Sequence, residues 1–190
     1  MRSRLVGGLV ALTALAGASC TNDLAKDGTG DVFMRVTAIN GGAPLSVDVQ
    51  NLATATTAEN VSVGLAARSK NPANNTTNYP RAILIERYEV RYYRSDGRNV
   101  EGVDVPVRVA GNISAAIDIG DSDKNITLSV EVVRLQAKFE PPLRNLVGGN
   151  AAIVLTIQAE ITIYGRAIHS GDVVKAVGNL QLDFADFIDE

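Results

Sequence analysis

Few side chains in this 190-residue chain carry reactive chemistry, and they are scattered. Cys20 is the only cysteine, and His169 is the only histidine. A thiol with no second cysteine cannot close an internal disulfide, so Cys20 needs another purpose. His169 stands beside Ser170 and Asp172, the residue types of an acyl-transfer site. Neighbours in one turn rarely form a triad, which is assembled from distant segments. An exposed turn histidine is the better reading, and no catalytic residue is assigned. Carboxylates gather at Asp121-Ser122-Asp123 and at Asp183, Asp186, Asp189 and Glu190. Calcium prefers such oxygen ligands, but neither group has EF-hand spacing. Aspartate also serves turns through its own backbone hydrogen bonds. We assign no metal and no cofactor. Gly148-Gly149 lacks the lysine of a phosphate loop. Tyr88, Tyr92 and Tyr93 alternate with Arg87, Arg91 and Arg94. Tyr88, Arg91, Tyr92 and Tyr93 are the candidate interaction surface. The plainer reading is that these long side chains cover a sheet face.

The first twenty residues give Cys20 its context. Arg2 and Arg4 form a basic head, and Leu5–Ala18 is uncharged. Fourteen residues cover about 21 Å as a helix, short of a bilayer core of about 30 Å. Head, apolar run and small-residue exit make a secretory signal peptide. Gly17-Ala18-Ser19-Cys20 resembles the lipobox of bacterial lipoproteins, although Gly17 stands where an aliphatic residue is usual. The resemblance implies a cut before Cys20 and lipidation of its thiol; the alternative is an ordinary signal-peptidase cut after Ala16-Gly17-Ala18, which has the A-x-A form and would leave Ser19 as the terminus. It also implies a membrane anchor, since several acyl chains together hold firmly where one holds marginally. Thr21 and Asn22 follow instead of the aspartate that retains such proteins in the inner membrane. The expected address is therefore the bacterial cell envelope, at the outer membrane. Three parts are expected: a signal peptide over 1–19, a lipidated terminus and flexible tether over 20–30, and one domain over 31–190.

Without Arg2 and Arg4, 16 basic residues face 21 acidic ones, a net charge of −5. That acidity argues against nucleic acid as a partner. The absence of tryptophan argues against a ring-stacking carbohydrate platform. Asn60, Asn74, Asn75, Asn112 and Asn125 fit the N-x-[ST] pattern. Beside a bacterial lipobox they are turn and strand-edge residues.

The dominant pattern after Asp31 is alternation, the mark of half-buried strands. Val32–Ile39 is a strand stopped by Asn40-Gly41-Gly42. Leu45, Val47 and Val49 make a second, and Val61 to about Arg68 a third. Ser69–Pro80 is a polar loop. Ala82–Arg94 is strand-like with mixed faces, which predicts a bulge or an edge near Glu86. Val103, Val105 and Val107 predict an edge strand at Pro106, and Ile113–Ile119 another strand. Leu128–Phe139 fits both strand and helix spacing; its valines favour a strand that bends before Pro141. The C-terminal third is a long hairpin around Ser170-Gly171-Asp172. Its inward set runs Ile153, Leu155, Ile157, Ala159, Ile161 and Ile163 on the first arm, and Val174 to Phe184 on the second.

A hairpin alone is marginal, so that face must meet a second sheet. The expected fold is all-β: an antiparallel immunoglobulin-like β-sandwich of about eight or nine strands after the signal peptide. The ending Ile161–Phe187, with Tyr164-Gly165-Arg166 and Phe184-Ala185-Asp186-Phe187, resembles the C-terminal ends of uncharacterised bacterial surface lipoproteins. That likeness implies no activity. The expected function is a lipid-anchored, non-catalytic structural or interaction module that meets an envelope protein. The alternative is a binder of a small lipid or glycan ligand in a cavity between the sheets.

Overall fold

The computed structural model describes residues 32–51, 56–70, 81–120, 122–149 and 151–187. Residues 1–31, on which the expected signal peptide, Cys20 and the expected tether fall, lie outside the described residues, as do most of the Ser69–Pro80 loop, Asp121, Asp189 and Glu190. Eight strands are described: β1 (Val32–Ile39), β2 (Leu45–Asp48), β3 (Glu59–Ser69), β4 (Ala82–Tyr93), β5 (Val109–Asp118), β6 (Lys124–Val133), β7 (Leu155–Ala167) and β8 (Val173–Ala185). They form two sheets, in the orders β1-β3-β6 and β2-β8-β7-β4-β5. Every pair is antiparallel except β2 with β8. The architecture is an all-β sandwich.

Alternation explains the core. On β7, Ile157, Ala159, Ile161 and Ile163 are buried, and on β8 so are Val174, Ala176, Leu180, Leu182 and Phe184. They meet Val61, Val63 and Leu65 of β3 and Val130 and Val132 of β6 in one cluster. Each fully buried Val, Leu, Ile or Phe contributes roughly 1.5–3 kcal/mol. The expected inward set begins one step too early, since Ile153 is exposed and Leu155 is the first residue of β7.

The first strand divides between the sheets. β1 runs along β3 as far as Ile39 opposite Val63. There Asn40, Gly41 and Gly42 take positive φ values of 49°, 63° and 88°. This left-handed conformation is cheap for glycine and tolerable for asparagine. The Asn40 side-chain amide donates to the carbonyls of Ala43 and Pro44 and holds the turn. The chain then continues as β2 beside β8 in the other sheet. β1 also packs across the sandwich onto β8 at Gly178, where any Cβ would crowd Ile39 and Val36.

The mixed faces of β4 resolve as expected. The register shifts between Ile85 and Arg87 against both neighbours. Ile83 and Ile85 are buried before the shift; Tyr88, Val90 and Tyr92 are buried after it. The inward phase thus changes from odd to even positions at Glu86.

Two expectations change. Val103–Val107 is not a strand; it holds one isolated bridge between Glu101 and Val105. Turn chemistry overrides alternation there. Gly102 takes φ 75°, and the Asp104 carboxylate accepts the Val100 amide. Val105 is buried, while Val103 and Val107 face solvent. The segment Leu128–Phe139 is two structures: β6 to Val133, then a 3₁₀ helix over Leu135–Phe139. Leu135 and Phe139, expected inward on either spacing, are exposed, and Lys138 is buried in their place. The chain turns at Arg134, whose guanidinium donates to the Ala110 carbonyl at 2.9 Å. A second 3₁₀ turn, Leu143–Leu146, buries both of its leucines before β7.

Candidate functional site

The strand register sorts the loops between two poles. The chain enters β1 at Val32, beside the end of β3, the turn joining β5 to β6, and the β7–β8 turn. The opposite pole carries the connections over 94–108 and 134–154 and the segment after β2. β8 spans the distance with 13 residues, about 40 Å.

The four residues of the expected contact surface divide. Tyr88 and Tyr92 are buried and belong to the core. The phase change at Glu86 turns them inward, a consequence that simple alternation does not reveal. The Tyr92 hydroxyl donates to the Val132 carbonyl of β6 at 2.7 Å. Burial pushes its phenol pKa well above the ordinary value. Burial, then the nearby Glu131 carboxylate, raises that of Tyr88. Arg91 and Tyr93 face solvent on the outside of the five-stranded sheet.

That outer face carries a network around Glu89. Its carboxylate accepts from Arg91 at 2.9 Å and lies 3.6 Å from Arg108. The Tyr164 hydroxyl donates to it at 3.4 Å, and Arg87 stacks on the Tyr164 ring at 3.5 Å. The Arg91 hydrogen bond, ahead of the other arginine charge, holds the Glu89 pKa below the ordinary value. This face is internally paired, and pairs of this exposure contribute little individually.

The other chemical candidates are engaged locally. His169 is exposed in the β7–β8 turn, and the Ser170 hydroxyl accepts the Asp172 amide. Asp123 pairs with Arg35 at 2.6 Å. Asp183 accepts from Thr156 and Gln181, and Asp186 accepts the Gly148 amide. Among the described residues, no cluster of three or more His, Cys, Asp or Glu is placed to hold a metal ion.

The remote pole differs from the rest of the surface. Fourteen large apolar side chains among the described residues are exposed. Val100, Val103 and Val107 lie in one remote connection; Leu135, Phe139, Val147, Ile153 and Val154 lie in the other. More than half of the exposed apolar residues therefore sit at one end of the molecule. Val103 is 63% exposed and Phe139 is 60% exposed. Between Phe139, Val147 and the segment after β2 lies a cleft of about 630 Å³. Two cations line it. Lys138, only 3% exposed, donates to Glu59 at 2.6 Å, and Arg144 stands at the surface. The sequence reading missed this site because Lys138 looks like one more surface charge. Its burial comes from the 3₁₀ turn, which a strand reading of Leu128–Phe139 does not contain.

No protein-family model matches the chain, and no curated protein does.

Proposed function

We propose that this chain is a lipid-anchored protein of the bacterial outer membrane, whose immunoglobulin-like sandwich meets another envelope protein and performs no catalysis. The immunoglobulin-like reading is supported by strand order. Mapped in sequence, β1-β3-β6 corresponds to strands A, B and E. β8-β7-β4-β5 corresponds to G, F, C and C′. β2 continues the first strand in the second sheet.

One observation carries the functional reading: the exposed apolar side chains concentrate at the pole remote from Val32. Concentrated apolar exposure marks contact sites. A chain anchored at Cys20 approaches the membrane from the Val32 end, because Thr21–Gly30 reaches at most about 35 Å. The remote pole, with Val103 and Ile153, then projects away from the lipid toward partners.

Two measurements test this. The intact mass of membrane-extracted protein should show a terminus at Cys20 with added acyl mass, and Cys20→Ala should leave the membrane fraction. A photo-crosslinking residue at Val103 or Ile153 should yield a discrete adduct in intact cells, while one at Ile168, exposed near the opposite pole, should not. Equal labelling from all three positions would sink the contact assignment. A terminus at Ser19 without acyl mass would sink the anchor.

A further inference from the structure

The cleft beside Lys138 has features that a protein contact surface does not need. We propose that it binds a small organic monoanion, a carboxylate carrying an apolar body. This goes beyond the partner contact proposed above and does not depend on it.

The argument begins with charge. An ammonium has three N–H donors, and among the described residues Glu59 is the one partner of Lys138. The side chain is 97% buried, so donors left without acceptors there are costly. Arg144 adds a guanidinium on the same cleft, and among the described residues no carboxylate pairs with it. Lys138, Arg144 and Glu59 together carry one net positive charge. A monoanion neutralises this set, while a dianion would leave an excess beside Glu59. A planar carboxylate also suits the fork of an arginine.

The walls specify the remainder of the ligand. Phe139 and Val147 line the cleft although both are largely exposed, and the buried Val49 lines it too. The lining is mixed: Val49, Phe139 and Val147 give it an apolar side, and Gln50, Asn51 and Thr56 join the two cations on the polar side, while about 630 Å³ lies within the usual range of a small-molecule site. Within that polar side the Asn51 backbone amide donates to the Thr56 hydroxyl. An acyl chain or a compact ring fits such walls, with its carboxylate directed to Lys138 and Arg144.

The test uses the full chain carrying Cys20→Ala, so that no acyl group competes. Octanoate, octanol and inorganic phosphate are titrated separately and followed by amide NMR shifts and calorimetry. Octanoate should bind saturably and move the amides of Lys138, Phe139, Arg144 and Val147. Octanol should bind at least about tenfold more weakly, since it lacks the charge. Arg144→Gln, at an exposed position that leaves the fold intact, should weaken octanoate about tenfold. Equal affinity for octanoate and octanol would overturn the proposal. So would an unchanged affinity in Arg144→Gln, or inorganic phosphate displacing octanoate. None of these outcomes bears on crosslinking from Val103, so the two readings fail separately.

Discussion

The hydroxyl of Tyr92 on β4 crosses the sandwich and donates to the carbonyl oxygen of Val132 on β6, at 2.7 Å. It ties the five-stranded sheet to the outer strand of the three-stranded one. Tyr92→Phe removes the donor and leaves a buried carbonyl with less hydrogen bonding. The expected cost is about 1–2 kcal/mol. For a domain of this size each kcal/mol lowers Tm by about 2–4 °C. The same bond predicts an alkaline effect. The folded-state pKa of Tyr92 lies above its unfolded value of 10.0. Above pH 10 the unfolded chain therefore holds fewer protons than the folded one, and stability falls as pH rises. That contribution is complete below pH 10. Denaturant melts between pH 8 and 11 should show a shallower alkaline decline in Tyr92→Phe than in the parent. Parallel declines would show that another group controls this limb.

Glu89 predicts the opposite limb. Its folded-state pKa is below the ordinary 4.5, chiefly through the hydrogen bond from Arg91. Between the folded and unfolded values the unfolded chain binds more protons, so stability rises with pH there. The contribution is complete above pH 4.5 and is lost as pH falls through the folded value. Glu89→Gln should cost about 0.5–1 kcal/mol at pH 7, the scale of a part-exposed pair. It should also flatten the acid limb in melts from pH 7 to 3. A variant that keeps the parent's slope would assign that limb elsewhere.

Much of the fold was legible because alternation and turn chemistry agreed. The β7–β8 hairpin, β1 with its Asn40-Gly41-Gly42 stop, and the bulge at Glu86 all follow from side-chain periodicity. Elsewhere alternation was overridden. Gly102 and Asp104 turn a valine-rich stretch into a loop. At Leu135–Phe139 the crossing between sheets imposes a 3₁₀ turn and buries a lysine instead of a leucine. The expected surface at Tyr88 and Tyr92 failed for a related reason. The sequence predicts a bulge near Glu86, but the face taken up afterward depends on registers with β5 and β7 that lie in the fold. The cleft is harder still to foresee, since Lys138 and Glu59 are 79 residues apart.

The Tyr88 ring packs against the backbone of β5 at Gly111. A Cβ added there would collide with two ring carbons and the hydroxyl oxygen of Tyr88, which is itself buried. Space, not backbone freedom, requires the glycine. Gly111→Ala should therefore destabilise by about 1–3 kcal/mol, the usual cost of overpacking. Gly111→Ala combined with Tyr88→Leu should lose less than the sum of the two single variants, because the shorter side chain vacates the contested volume. Thermal melts of the four proteins would measure this, and additive losses would place the cost of the alanine elsewhere.

Lys138 and Glu59 join the crossing segment to the start of β3 through a 2.6 Å ion pair. Removing one partner of a buried pair leaves the other charge uncompensated. Lys138→Met should cost about 2–4 kcal/mol, below the fully buried extreme because the Glu59 side chain is 26% exposed. Glu59→Gln should cost a similar amount, since it leaves the more deeply buried ammonium. The double variant Glu59→Gln, Lys138→Met should recover at least half of the summed loss, because neither charge then remains alone. A double-mutant cycle by denaturant unfolding measures the coupling directly. If the losses add, the pair is not what holds the crossing segment. A Lys138→Met variant close to neutral would instead rest the burial of Lys138 on the packing of its methylene stem, which Met preserves.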